Sequence, residues 1–231
     1  MSGPSSGEVQ TVVAARRLRE ARSVFIGVGR PSTAAILARM VHNPELVLVY
    51  ESGTIGAKPT RVPLSIGDGE LAETADLVVT VPEMFNYWIG TGRIQVAFLG
   101  AAQIDRWANL NSTVIGEYSH PRTRLPGAGG APEIATGCPE VVVIAPHTPR
   151  TFVERLDFRT TTGAHTTHVI TDLGVLEPLG GELTLTQVHP GVSAEQVQEA
   201  TGWALRVAEP LSVTDPPTAE ELSALRELVS R

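Results

Sequence analysis

The sequence predicts an α/β protein: an open, mainly parallel sheet with helices on both faces. Three observations carry this. Short apolar runs rich in β-branched residues recur along the chain. Stretches with apolar residues at helical spacing stand between them, and strand–helix–strand alternation implies parallel pairing. Gly- and Pro-bearing breaks separate the elements with no repeat and no linker, so residues 1–231 are expected to form one domain.

Taken in order, Gly7 to Ala21 places Val9, Val12, Val13 and Leu18 among charged neighbours, the pattern of an amphipathic opening helix. Ser23 to Val28 is a short buried strand, broken by Gly29-Arg30-Pro31-Ser32 before a helix from Thr33 to Val41. Leu46 to Tyr50 is the next strand. Asp76 to Val81 and Ile94 to Leu99 are strand candidates with a helical stretch, Met84 to Ile89, between them, and Glu140 to Ile144 is another strand. Beyond about residue 160 the texture becomes strand-like at His168 to Asp172 and Leu183 to Val188. Helices near Ser193 to Thr201 and Thr218 to Val229 close the chain. The Gly/Pro-rich stretch from His120 to Pro132 reads as a working loop within the domain.

Composition excludes several classes. Hydrophobic residues make up 42% and charged residues 19% of the chain, which is a globular balance. A net charge of −7 with no basic cluster longer than Arg16-Arg17 argues against nucleic-acid binding. No stretch approaches the roughly 18 apolar residues of a membrane span, and the opening residues lack a signal-peptide core, so a cytoplasmic protein without membrane association is expected. A lone Cys138 cannot form an internal disulfide and reads as a small buried hydrophobe. His165 and His168 lack a partner at ligand spacing, so no metal site is expected.

Two readings compete for Glu51, which follows the apolar run LVLVY and precedes Ser52-Gly53. Gly27-Val28-Gly29 sits between a strand and a helix, with Glu51 about twenty residues on, which imitates a dinucleotide fingerprint. Ser32 occupies the place of the third glycine, however, and Pro31 removes an amide that would face a pyrophosphate. The second reading joins Glu51-Ser52-Gly53 to the segment Gly100 to Asn111, GAAQIDRWANLN, and to the loop Pro126-Gly127-Ala128-Gly129-Gly130.

This ordered set resembles the β subunit of family I coenzyme A transferases, closer to the glutaconate type than to the short-chain 3-oxoacid type. The later segments Val169 to Pro178 and Val188 to Ser193 share the resemblance, which runs from about residue 8 to about residue 215. It implies a glutamate, here Glu51, that attacks an acyl-CoA carbonyl and passes through a mixed anhydride to an enzyme–CoA thioester. CoA is then a substrate and covalent intermediate, with no permanently bound cofactor. An α subunit is the implied partner, with acyl-CoA and carboxylic acid substrates.

The chemistry suits the residue. A glutamate with its ordinary pKa of about 4.3 is ionised at neutral pH and needs no general base to expose its nucleophile. The backbone amides of Gly127, Ala128, Gly129 and Gly130 are expected to stabilise oxyanion charge, since glycine lets the main chain approach closely. Ser52, Gly53, Gln103 and Asn111 are expected to line the substrate site. Gln103 and Asn111, with Asp105 and Asn109, are equally suited to satisfying a buried turn. The family that the chain resembles often carries a large apolar residue after the glycine pair, where this chain has Ala131, so the resemblance does not assign the wall of the CoA tunnel. Trp88 and Trp107 read as core or interface packing.

Overall fold

The computed structural model describes residues 3–230. They form two compact units, one of residues up to Leu99 with Gly137–Pro139 and those from Pro216 onward, the other of Gly100–Thr136 and Glu140–Asp215. In chain order the elements begin with α1 (Ser6–Arg16), β1 (Ser23–Ile26), α2 (Arg30–Val41), β2 (Val47–Tyr50), β3 (Thr54–Ile55) and α3 (Gly69–Glu73). β4 (Leu77–Val78), α4 (Val81–Glu83), a π-helix (Met84–Ile89) and β5 (Val96–Leu99) follow. Next come β6 (Gln103–Ile104), β7 (Leu110–Asn111), β8 (Val114–Gly116), β9 (Pro121–Arg124), α5 (Ala131–Gly137), β10 (Glu140–Ile144) and β11 (Thr166–Ile170). The chain ends with β12 (Gly174–Leu179), β13 (Glu182–Val188), α6 (Ala194–Glu199), β14 (Arg206–Val213) and α7 (Ala219–Ser230). The fold class is α/β with a mostly parallel sheet, as the alternation of elements predicts.

In the first unit the strand order is β5-β1-β2-β3-β4, parallel from β5 to β2 and antiparallel beyond. α1 starts at a capping box: Glu8 N donates to Ser5 Oγ at 3.3 Å and Ser5 N donates to the Glu8 carboxylate at 2.7 Å. It stops at Arg16, short of the expected Ala21, because Arg17 N and Leu18 N tighten into bonds to Ala14 O and Ala15 O. α1, α2 and α7 pack together and are tied by the buried Glu221, which accepts from Arg16 Nε at 2.7 Å and Nη2 at 2.6 Å. His42 Nε2 stands 3.0 Å from the same carboxylate. Burial pushes the Glu221 carboxyl up, but Arg16 and the Thr218 amide outweigh it and hold it down at about 2.

Asp76 to Val81 departs from the full-length strand expected of it. Only Leu77–Val78 is extended, as an edge strand with both side chains exposed, because Thr80 caps the next helix and takes the chain out of the ladder. The helical stretch at Met84 to Ile89 is present, wound as a π-helix.

In the second unit the order is β14-β13-β12-β11-β10, with β10 and β11 parallel, β11 to β13 antiparallel and β14 parallel to β13. β12 and β13 are joined by Gly180-Gly181, both at positive φ, the conformation a two-residue hairpin turn requires. Two short antiparallel pairs, β6–β7 and β8–β9, precede this sheet. The core includes Val141–Val143, Val169, Ile170, Leu176 and Leu185. A buried polar seam crosses it: His147 Nδ1 lies 3.1 Å from Thr171 Oγ1 and Nε2 lies 2.9 Å from Thr201 Oγ1, while its ring stacks 3.8 Å from Phe152. Burial pulls the His147 imidazole down to about 4.

Candidate active-site elements

Glu51 occupies a turn that the surrounding backbone over-determines. β2 ends in the buried Tyr50, whose hydroxyl lies 3.0 Å from that of Ser32 at the start of α2, and burial pushes its phenol up to about 12. The chain then reverses: Gly53 N donates to Tyr50 O at 3.0 Å, and Val79 N donates to Gly53 O at 2.9 Å. Gly53 has φ +103°, and a Cβ there would sit 2.0 Å from Val79 O, so the position admits only glycine.

Glu51 itself is half-buried, and its carboxylate makes no hydrogen bond or ion pair among the described residues. Beside it in sequence, Ser52 Oγ and Thr54 Oγ1 are buried without a hydrogen-bond partner among the described residues. Buried polar atoms are nearly always satisfied, so the two orphan hydroxyls that follow the unpaired carboxylate in sequence set this turn apart from the satisfied networks elsewhere in the chain.

The glycine loop is a second over-determined turn, in the other unit. The stretch from His120 to Pro132 is not loop throughout: Pro121–Arg124 form β9, paired with β8, because Gly116 at φ +90° lets the strands reverse closely. Gly127 is clamped, its N–H donating to Ser112 O at 2.9 Å and its carbonyl accepting from Ser112 Oγ at 2.8 Å. Gly127 and Gly129 have φ +103° and +50°. The N–H groups of Ala128, Gly129 and Gly130 meet no acceptor among the described residues, whereas the carbonyls of Ala128 and Gly130 receive Ala131 N and Ile134 N and launch α5. Successive unpaired amides of this kind form an anion-binding concavity.

Gln103 and Asn111 present the opposite arrangement. Asn111 is fully buried and satisfied: Nδ2 donates to Gln103 Oε1 and Val114 O, both at 2.7 Å, while Oδ1 accepts from Thr113 N at 2.9 Å and Val114 N at 3.3 Å. Gln103 Nε2 donates to Asp157 Oδ2 at 2.9 Å, its Oε1 accepts from Asp157 N, and Gly116 N donates to the same carboxylate oxygen. Asp105 likewise closes the turn to Asn109 through that residue's N and Nδ2. These amides hold strands and loops in place. Asp157 and Ser112, which sequence reasoning passed over, complete this framework; neither sits in a motif that separates it from any surface polar residue.

The structure therefore brings Ser52 and Gly53 together with Glu51, and Gln103 with Asn111, whose neighbour Ser112 anchors the glycine loop. Glu51 belongs to the first unit, and Gln103, Asn111 and Gly127–Gly130 to the second. The competing dinucleotide reading finds no support locally: Ser32 is buried and committed to Tyr50. Cys138 is fully buried, and burial pushes its thiol up to about 12, as expected of an inert residue. Trp107 is 52% exposed, with Arg106 over its ring at 5.6 Å, so it is not a core residue. No group of three or more metal-ligating side chains, and no helix long and apolar enough to cross a membrane, occurs among the described residues.

Residues 8–200 match the coenzyme A transferase family. The B subunit of the 3-oxoadipate CoA-transferase of Pseudomonas knackmussii is 53% identical, the alignment covering 100% of this chain and 95% of the relative. The B subunit of the glutaconate CoA-transferase of Acidaminococcus fermentans is 31% identical over 92% of this chain and 88% of its own. The chain belongs to the coenzyme A transferase family. The crystal structure of glutaconate coenzyme A-transferase from the same organism superposes with a TM-score of 0.92, at 28% identity, over 98% of this chain and 95% of that one. Membership of the coenzyme A transferases is thus carried by sequence and fold together, along the whole chain.

Proposed function

We propose that this chain is the β subunit of an acyl-CoA:carboxylate CoA-transferase in which Glu51 carries CoA as a glutamyl thioester. The observation that carries the reading is the half-buried, unpaired Glu51 carboxylate on a turn locked by Gly53, with orphan hydroxyls at Ser52 and Thr54. A nucleophile that need not be deprotonated suits a site with no His or Lys bonded to it.

The reaction balances through two anhydrides. A Glu51 oxygen attacks the donor thioester carbonyl and CoA thiolate leaves, giving a mixed anhydride. The thiolate attacks the glutamyl carbonyl and releases the donor acid, leaving CoA on Glu51. The acceptor carboxylate then attacks that thioester and expels the thiolate, which returns to the acceptor acyl carbon and frees Glu51. Each attack builds negative charge on a carbonyl oxygen, and the unpaired amides of Ala128, Gly129 and Gly130 are the donors assigned to it. Loss of one such donor costs about a hundredfold to a thousandfold in rate.

The relatives named above are subunits for 3-oxoadipate and glutaconate, both dicarboxylic acids, which supports a dicarboxylate as donor or acceptor here and a companion α subunit as partner. The test is borohydride reduction of the co-purified pair after incubation with acyl-CoA, followed by peptide mass analysis. Glu51 recovered as the primary alcohol is the expected result. An alcohol on a peptide of the companion subunit, or hydrolysis and decarboxylation without a trapped adduct, overturns the assignment.

A further inference from the structure

Ser112 holds both polar groups of the first glycine in the loop. Its Oγ donates to Gly127 O at 2.8 Å, and Gly127 N donates to Ser112 O at 2.9 Å. Ser112 is fixed in turn, because its N–H donates to Thr160 Oγ1 at 2.9 Å and that hydroxyl lies 2.7 Å from Thr113 Oγ1. Gly127 and Thr160 stand 15 and 48 positions from Ser112, so this clamp is not a local turn motif.

A trans peptide is planar, and its C=O and N–H point in opposite directions. The carbonyl of Gly127 shares a plane with the N–H of Ala128. A hydroxyl that holds the oxygen toward Ser112 therefore turns this N–H the other way, where it meets no acceptor among the described residues. Without the Ser112 bond the plane would turn easily, since glycine, here at φ +103°, tolerates a wide range of backbone angles. The Gly129 N–H is oriented by a different bond, Ala131 N to Ala128 O at 3.0 Å, which lies within the backbone. The Gly130 N–H shares its plane with Gly129 O, which accepts nothing among the described residues. Of the three unpaired amides, Ala128 is thus the one whose direction a side chain sets.

We propose that Ser112 is a positioning residue for CoA transfer, its hydroxyl holding the Ala128 N–H outward as a donor to the carbonyl oxygen that gains charge during attack. The inference rests on the reading of the glycine loop as the source of that stabilisation and deepens it, yet it does not depend on which carboxylate is the nucleophile. The Ser112 hydroxyl acts through the peptide, since its proton is already given to Gly127 O. Direction decides what the amide contributes, because a hydrogen bond weakens steeply as its angle falls toward about 120°. A donor aimed beforehand needs no reorganisation when the charge appears. Ser112 therefore acts on the chemical step and not on ground-state binding.

The test is steady-state CoA transfer by the full chain, co-purified with its companion subunit, in Ser112→Ala, Ser112→Thr and Ala128→Pro variants. Ser112→Ala is expected to lower kcat by about tenfold to a hundredfold, with the KM for acyl-CoA changed by less than about twofold. Ser112→Thr keeps the hydroxyl and is expected to recover kcat to within about threefold of wild type. Ala128→Pro deletes the N–H itself and is expected to cost about a hundredfold or more. Adding Ser112→Ala to it should cost less than about twofold further, because no amide remains to be aimed. An unchanged kcat in Ser112→Ala overturns the proposal, as does a threonine variant no better than the alanine one in a well-folded pair. Effects of Ser112→Ala and Ala128→Pro that multiply also overturn it. Should Ala128→Pro not fold, the alanine and threonine variants decide the matter by themselves. Borohydride trapping separates the two readings. An absent Glu51 adduct in the wild type sinks the assignment of Glu51 and leaves the Ser112 rates standing, whereas a wild-type rate in Ser112→Ala with the adduct intact sinks this inference alone.

Discussion

The turn around Glu51 and the network around Asn111 are both polar, both buried in part, and opposite in how their polar atoms are satisfied. Every side-chain polar atom of Asn111 has a protein partner, and Gln103 extends the network to Asp157. At the other turn the carboxylate is unpaired and two hydroxyls are buried without partners. Leaving a buried polar group unmade costs about 1–3 kcal/mol, so the first arrangement contributes stability and the second detracts from it. The contrast separates polar groups that the chain itself satisfies from polar groups that it leaves unsatisfied, a separation that residue type alone does not make.

Substitution experiments sharpen that contrast. Glu51→Gln, which keeps the volume and removes the carboxylate to which the proposal gives the nucleophile's role, should lower turnover of the reconstituted pair by about a thousandfold or more with the fold intact. Wild-type-like turnover would move Glu51 to the scaffold side of the comparison. Asn111→Ala should cost about 4 kcal/mol in urea unfolding, because Val114 O and the amides of Thr113 and Val114 lose their partner inside the core. A loss below about 1 kcal/mol would show that water replaces the network.

The His147 seam tests the satisfied class with a titratable group. Its folded pKa of about 4 lies below the unfolded value, so the unfolded chain takes up the proton first as pH falls. The stability it contributes is complete above about pH 6.5 and is lost progressively toward pH 4, by up to about 3 kcal/mol. Chemical unfolding followed across that window should show the decline, and His147→Gln should flatten it; an unaltered slope would place the pH dependence elsewhere. The smallest stability effect is expected at Thr54→Val, within about 0.5 kcal/mol, since its hydroxyl has no protein bond to lose. A cost comparable with that of Asn111→Ala would mean the hydroxyl is satisfied after all.

Much of the fold is legible in the sequence, and the failures are specific. Glu140–Ile144 matches its predicted bounds because a continuous β-branched run buried on both faces carries its own signal. The hairpin at Gly180-Gly181 carries an equally readable one, two glycines between apolar runs, although only the strand after it, Leu183 to Val188, is expected from the sequence. β9 was hidden because Pro121, Arg122 and Arg124 are poor strand residues in a stretch dominated by glycine and proline; pairing with β8 overrides that preference. Leu77–Val78 erred the other way, apolar and extended but at an exposed sheet edge.

Local chemistry by itself established the alternating α/β order, the burial of LVLVY, and the carboxylate that follows it at a glycine turn, because periodicity and turn preference act over a handful of neighbours. Tertiary structure alone decided that Gly53 is obligatory, since the obstructing atom is Val79 O just beyond β4, and that Asn111 is scaffold, since its partners include Gln103. It also brought Gly127 and Thr160 to Ser112 from separate segments. Contacts between residues distant in sequence form only when the sheet and its loops close, and no window of sequence contains them.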